Sequence, residues 1–212
     1  MSSGMPLRQR LHPRLSKWFF ATYAGLTHAQ ELCVPAVLAR KSILLTSPTG
    51  SGKTLAGFLG VFDALLRELD ECKTIDGVRC IYISPLRALA YDIEKNLRAP
   101  IVAMGLEKEL RIHLRTGDTK ASERAKFRRK PAPFLVTTPE SLAVLLAQEN
   151  YARHLATTGF VIVDELHSFA GNKRGADLSV SLERLETLCG EMKRFRRVAE
   201  TGTRVACAPP IC

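Results

Sequence analysis

Ser47-Pro48-Thr49-Gly50-Ser51-Gly52-Lys53-Thr54 separates a short apolar run, Ile43-Leu44-Leu45, from a stretch whose apolar residues recur at helical spacing. A strand before and a helix after is the context that a phosphate-binding loop requires. Gly50 and Gly52 let the backbone curl until its N–H groups face inward, toward phosphate oxygens. The N-terminus of the following helix adds a dipole that favours an anion. The pattern places Lys53 to reach the β- and γ-phosphates of a nucleoside triphosphate, and the Thr54 hydroxyl to bind Mg²⁺. Its strict form begins with glycine; here Ser47 stands in that place, a residue small enough to be tolerated.

Working outward, five apolar runs alternate with helical patterns. The runs are Ile43-Leu44-Leu45, Cys80-Ile81-Tyr82-Ile83, Arg111-Ile112-His113-Leu114, Phe134-Leu135-Val136 and Phe160-Val161-Ile162-Val163. Each is short and ends in turn or polar residues, as buried parallel strands do. Between them, the stripe Leu55, Phe58, Leu59, Phe62, Leu65, Leu66 and Leu69 predicts a helix over 54–69, with shorter helices over 86–97 and 140–146. The alternation predicts an α/β fold, a mostly parallel sheet with helices on both faces, whose ligands bind at the carboxyl ends of the strands.

The chain has 212 residues, 46% of them apolar and 25% charged, enough for a full core without staples. Its formal net charge of +10 favours a polyanionic partner, nucleic acid or an anionic surface. The basic stretches 120–130 and 193–197 read by default as solvated surface. The six cysteines form no CxxC pair and lack histidines at zinc-finger spacing, which reads as idle thiols in a reducing, cytoplasmic compartment. No apolar run is long enough to span a bilayer, so no membrane partner is expected. Arg8, Arg10, Arg14 and Lys17 precede Trp18-Phe19-Phe20, but the apolar stretch is short and no cleavage pattern follows, which argues against a targeting segment.

Asp164-Glu165-Leu166-His167 closes the last apolar run. An acidic pair after a strand is common. Combined with an upstream phosphate loop it acquires meaning, because phosphoryl transfer needs both a metal site and a group that positions water. Asp164 is expected to hold Mg²⁺ through water, and Glu165 to orient and deprotonate the attacking water.

Thr49-Gly50-Ser51-Gly52-Lys53-Thr54 together with Asp164-Glu165-Leu166-His167 resembles the superfamily-2 helicases of the DEAD/DEAH-box-like group. Pro85-Leu86-Arg87-Ala88-Leu89-Ala90, Thr116-Gly117-Asp118 and Thr138-Pro139-Glu140-Ser141-Leu142 resemble motifs of that group that grip one nucleic-acid strand. Ser168-Phe169-Ala170-Gly171-Asn172-Lys173-Arg174-Gly175 and Ser181-Leu182-Glu183-Arg184-Leu185 are similar to segments of the large helicase-related (Lhr-type) DNA helicases. The resemblance implies a RecA-like P-loop NTPase domain over residues 15–190, after a basic extension over 1–14. It implies ATP and Mg²⁺ as cofactors, bound through Ser47, Pro48, Thr49, Gly50, Ser51, Gly52, Lys53 and Thr54, with Asp164 as the second metal ligand. Glu165, Lys53 and His167 form its catalytic set. It implies a nucleic-acid partner, DNA for the Lhr type, touched by Pro85, Arg87, Thr116, Gly117, Thr138, Pro139, Lys173 and Arg174. It also implies that Gln30 reads adenine and that an aromatic among Phe19, Phe20 and Tyr23 stacks on it. Each aromatic reads equally as core.

The resemblance covers one RecA-like lobe. The family's second lobe, which supplies an arginine finger, would have to come from a separate chain, and without it hydrolysis is expected to be slow or absent. Residues 191–212 are unlike the family: Arg204 to Cys207 reads as a strand, but no Ser-Ala-Thr motif follows it, as a shifted reading frame or an interrupted gene would produce. Two function classes stay open. One is the ATP-binding lobe of a helicase; the other is an ATP-responsive nucleic-acid-binding module with little turnover. A small-molecule P-loop kinase leaves the strand-gripping motifs unexplained.

Overall fold

The computed structural model describes residues 6–48 and 50–200, with side chains placed up to residue 190. They form two compact units, residues 6–74 with 103–105, and residues 75–102 with 106–200.

The first unit is helical. It contains α1 (Leu7–Arg10), α2 (Pro13–Thr22), α3 (His28–Leu38) and α4 (Lys53–Cys72). The α4 stripe buries Phe58, Leu59, Phe62, Leu65 and Leu66. Gly60 lets α3 approach α4 closely, since a Cβ there would lie 2.3 Å from Val37 Cγ1. Leu11, Leu15 and Phe19 are each at most 3% exposed, so residues from both sides of position 14 join the core. Asp63, buried within α4, accepts from the His12 N–H at 2.6 Å and from Arg67 Nε at 2.8 Å. Burying a carboxylate without such donors would be costly.

Ile43-Leu44-Leu45 does not form the expected strand. Residues 41–48 are irregular, and Ile43 and Leu44 are 44% and 75% exposed. A strand needs neighbours to take up its N–H and C=O groups, and among the described residues this run has no ladder partner.

The second unit holds a four-stranded parallel sheet of β1 (Cys80–Ile83), β2 (Ile112–Arg115), β3 (Phe134–Thr137) and β4 (Phe160–Val163), in the order β2-β3-β1-β4. Around it run α5 (Arg87–Ala103), α6 (Ala121–Arg129), α7 (Pro139–Leu146), α8 (Glu149–Leu155), a short 3₁₀ turn (Leu166–Ser168) and α9 (Lys173–Glu200). Ile81, Ile83 and Leu135 pack into one core cluster with Phe127 of α6, Leu142 and Leu145 of α7, Leu155 of α8, and Leu178 and Leu185 of α9. The alternate residues Cys80, Tyr82, Phe134 and Val136 are buried as well, so both faces of the inner strands are covered.

The register sets the function of this sheet. Thr137 pairs with Ile83 and Arg115, and Ile83 pairs with Val163. All four strands therefore end at one level, and residues 84–87, 116–118, 138–140 and 164–165 leave from the same edge. The expected strand over 111–114 lies one residue later. Arg115, only 6% exposed, takes the last ladder position and donates to the Thr116 carbonyl at 2.6 Å. α5 outruns its expected end at residue 97, continuing through Pro100. α9 includes residues 191–200; the expected strand over 204–207 lies outside the described residues. Among the described residues no helix is long and apolar enough to cross a membrane. Cys33 and Cys80 are buried thiols.

Candidate functional site

In the first unit, Gly50 and Gly52 adopt φ of 83° and 81°, the left-handed region that glycine enters without penalty. Gly52 is the N-cap of the 20-residue α4 and brings no side chain to cap it. The first-turn N–H groups of that helix lack intrahelical partners by construction, so an anion suits them. Lys53 folds its ammonium over the loop onto the Ser47 carbonyl, and the Ser47 hydroxyl bonds Ser51 Oγ at 2.5 Å. The irregular Ser47 is thus used to tie the loop across itself. Thr54 is half-buried in the first turn of α4, Pro48 is exposed, and Thr49 lies outside the described residues.

A support that was not anticipated comes from the start of α3. Thr27 Oγ1 accepts from the Gln30 N–H at 3.3 Å, and Gln30 Oε1 accepts from the Thr27 N–H at 3.0 Å, a reciprocal capping box. The same two side chains hold the loop: Thr27 Oγ1 donates to the Ser51 carbonyl at 2.8 Å, and Gln30 Nε2 to the Gly52 carbonyl at 3.4 Å. Gln30 is 3% exposed, its amide shared between the Thr27 N–H and the Gly52 carbonyl. Of the three aromatics, Phe19 is core, Phe20 is half-buried under the Arg8 guanidinium at 4.9 Å, and Tyr23 presents an exposed ring.

In the second unit, Asp164 follows β4 and is held on both oxygens. Tyr82 OH donates to Oδ2 at 2.5 Å, and the Glu165 N–H to Oδ1 at 3.0 Å. Burial, then the bond to Asp164, pushes the Tyr82 phenol far above its ordinary value, so it stays a donor. Glu165 has φ of 48°, uncommon outside glycine, and costs about 1–3 kcal/mol to hold. Its carboxylate stands exposed, 3.3 Å from Nδ1 of the exposed His167. Among the described residues no three His, Cys, Asp or Glu side chains gather as a ready-made metal cage.

The rest of the carboxyl edge divides into buried and exposed positions. Pro85, Thr116, Thr138 and Pro139 are buried, which leaves backbone groups as their means of touching a ligand. Thr138 caps α7 by accepting from the Ser141 N–H at 3.4 Å, with Pro139 at the first helical position. Gly117 and Arg87 are exposed, and the Arg87 guanidinium is paired with Asp118 at 2.7 and 2.8 Å. A Cβ on Gly117 would meet Arg87 Nη2 at 2.9 Å. Lys173 is exposed at the start of α9. Its neighbour Arg174 is engaged on three sides: Nε donates to Glu140 Oε1 at 2.6 Å, Nη2 to the Pro85 carbonyl at 2.8 Å, and its plane lies 5.6 Å from the Phe169 ring.

The Asp164-Glu165 segment leaves the carboxyl edge of the sheet, where a parallel α/β domain places its chemistry, and the sequence profile of DEAD/DEAH box helicases matches residues 27–204. The chain belongs to the DEAD/DEAH box helicase family. Within it, the chain is 46% identical over 192 residues to an ATP-dependent helicase Lhr-Core of Methanothermobacter thermautotrophicus, a match covering 87% of this chain and 22% of that protein. It is 40% identical to the Lhr helicase/uracil glycosylase of Escherichia coli, over 83% of this chain and 12% of that one. Mycobacterium smegmatis helicase Lhr, solved with ssDNA and AMP-PNP, superposes with a TM-score of 0.77 at 37% identity, covering 84% of this chain and 23% of that chain. The chain thus spans about a fifth or less of the length of these relatives. The helicase fold and the Lhr-type kinship expected from the motifs are both found.

Tyr82, Thr27, Asp118 and Glu140 were not singled out from the sequence. Tyr82 reads there as one more apolar strand residue. Thr27 carried a signal, the Thr-x-x-Gln spacing of a capping box.

Proposed function

We propose that this chain is the Mg-ATP-binding lobe of an ATP-dependent DNA helicase. The observation that carries the reading is the left-handed Gly50 and Gly52 leading into the uncapped start of α4 with Lys53 beside them. Residues 47–54 take the triphosphate, their N–H groups and Lys53 meeting its β- and γ-oxygens. Thr54 and Asp164 are the protein's share of the Mg²⁺ shell, and the ion neutralises charge developing on the phosphates. Glu165, held outward by its backbone, orients and deprotonates water, with His167 beside it.

The carboxyl edge of the sheet takes one nucleic-acid strand. Exposed backbone at Gly117, the N-termini after Thr138 and Pro139, and the cations Arg87 and Lys173 suit a phosphate backbone. The solved Lhr relative carries ssDNA, which supports DNA as the strand for this chain.

Binding of a fluorescent ATP analogue tests the core of the reading. Lys53→Ala is expected to weaken it by about tenfold to a hundredfold, since a charge-assisted contact of about 1.5–3 kcal/mol is lost. Equal affinity in wild type and variant removes the loop from the site. ATP hydrolysis with and without single-stranded DNA then separates enzyme from binding module. DNA-stimulated turnover abolished by Glu165→Gln supports the enzyme; binding with no turnover supports the module.

A further inference from the structure

Arg174 and Lys173 are neighbours in sequence with opposite surroundings. Lys173 stands exposed at the head of α9. Arg174 spends its fork on protein. One arm reaches the Glu140 carboxylate in the first turn of α7 and another the Pro85 carbonyl before α5, while its plane covers Phe169 after the 3₁₀ turn. Glu140 is itself held in place. Burial would raise its carboxyl, but the bonds from Arg174, its own backbone N–H and Thr138 outweigh this and hold it below the usual range. Pro85 and Glu140 belong to two of the four segments that leave the sheet at one level, and α9 follows the fourth. One side chain thus fixes the mutual spacing of three segments.

We infer that Arg174 is a positioning residue, a brace that sets the distance between the Pro85 and Glu140 loops, and that Lys173 alone of this pair contacts strand phosphates. The inference rests on the strand-binding reading above. A planar guanidinium presents donors in two directions from one rigid group, which an ammonium does not. A phosphate contact needs only charge within reach, which Lys173 supplies and Lys or Arg supplies equally well to first order.

The two roles separate in the salt dependence of binding. Each phosphate contact to a single strand adds about 0.7 to the slope of log affinity against log salt. Fluorescence anisotropy with a labelled oligothymidylate, from low to moderate salt, reads both affinity and slope. Lys173→Ala is expected to flatten the slope by about 0.7. Arg174→Ala is expected to weaken binding about fivefold to tenfold at every salt concentration and leave the slope unchanged, the loss expected for one ordinary hydrogen bond. Arg174→Lys keeps the charge and loses the fork, and is expected to bind as poorly as Arg174→Ala. A flattened slope in Arg174→Ala that Arg174→Lys restores overturns the inference.

Amide hydrogen exchange on the free protein tests the brace without any strand. Arg174→Ala is expected to speed exchange in both residues 86–90 and residues 139–142, and unchanged protection in both segments overturns the brace. Should wild type bind the oligothymidylate with no salt dependence, the strand-binding reading falls, and the exchange result still decides whether Arg174 ties the loops.

Discussion

Residues 50–54 take their shape from backbone conformation, with Gly50 and Gly52 at positive φ and the start of a long helix beneath them, and from the Thr27 and Gln30 side chains on the Ser51 and Gly52 carbonyls. Residues 84–87, 116–118 and 138–140 hold theirs through side chains that reach between segments, Arg87 to Asp118 and Arg174 to Glu140 and Pro85. The first arrangement is mostly local, its outside partners lying 22 and 24 residues away. The second depends on partners 31, 34 and 89 residues apart. A phosphate cradle made of N–H groups binds whatever carries phosphate, whereas an edge made of paired side chains can be retuned one residue at a time.

The sharpest way to break the first arrangement is Gly52→Ala. An L residue at φ of 81° costs about 1–2 kcal/mol. The new Cβ would also lie 2.7 Å from Gln30 Nε2, displacing an amide that serves both the capping box and the loop. Losing those bonds adds about 1 kcal/mol, for a total of about 2–3 kcal/mol in urea unfolding. Gly50→Ala is the control. It shares the positive φ of 83° but meets no atom within 4 Å, so it carries the backbone cost alone. Equal losses in the two variants show that Gln30 gives way freely and does not hold the loop.

What the sequence made legible follows the same division. The phosphate loop, the Asp164-Glu165 pair and four strands were readable because glycine spacing and short apolar runs are local signals. The fifth strand was misread for a local reason too. Ile43-Leu44-Leu45 has the composition of a strand, but pairing is decided by neighbours that composition does not name, and the run stands exposed. The resemblance gives Gln30 a base to read, and its spacing from Thr27 spells the capping box that the structure shows as well. Arg174 and Lys173 looked alike as adjacent cations. Only the position of Glu140 and Pro85, set by the strand register, distinguishes them.

A second test bears on the sheet that carries the side-chain edge. His113 on β2 is 7% exposed and stacks on Phe127 with ring centroids 4.2 Å apart. Burial first, then Arg115 and Lys126, lowers its pKa from 6.5 to about 4. Above pH 6.5 both folded and unfolded chains hold the ring neutral, and its contribution is complete. As pH falls from 6.5 toward 4, the unfolded chain takes up a proton that the folded chain refuses, and stability drops. At pH 5 the loss is about 2 kcal/mol. Urea midpoints measured from pH 7.5 to 5 are expected to fall in wild type and to fall less in His113→Leu. Parallel pH profiles in the two proteins show that the ring is not held neutral.

The smallest effect expected concerns the bond that joins the core of the sheet to the chemistry at its edge. Tyr82 OH reaches across from β1 to donate to Asp164 Oδ2 at 2.5 Å. Tyr82→Phe keeps the ring and its packing and removes the hydroxyl, so stability is expected to change by about 1 kcal/mol or less. Asp164 remains tied through Oδ1 to the Glu165 N–H but gains a freed lone pair on Oδ2. If the bond positions Asp164 for a metal shell, the variant needs about tenfold more Mg²⁺ to reach half-maximal nucleotide binding, the low end of the loss expected when a group that orients a metal ligand is removed. If the hydroxyl merely satisfies a buried polar group, the Mg²⁺ dependence is unchanged and only the urea midpoint moves. The second outcome would place all of the edge's organisation in its exposed ion pairs and none in the sheet beneath.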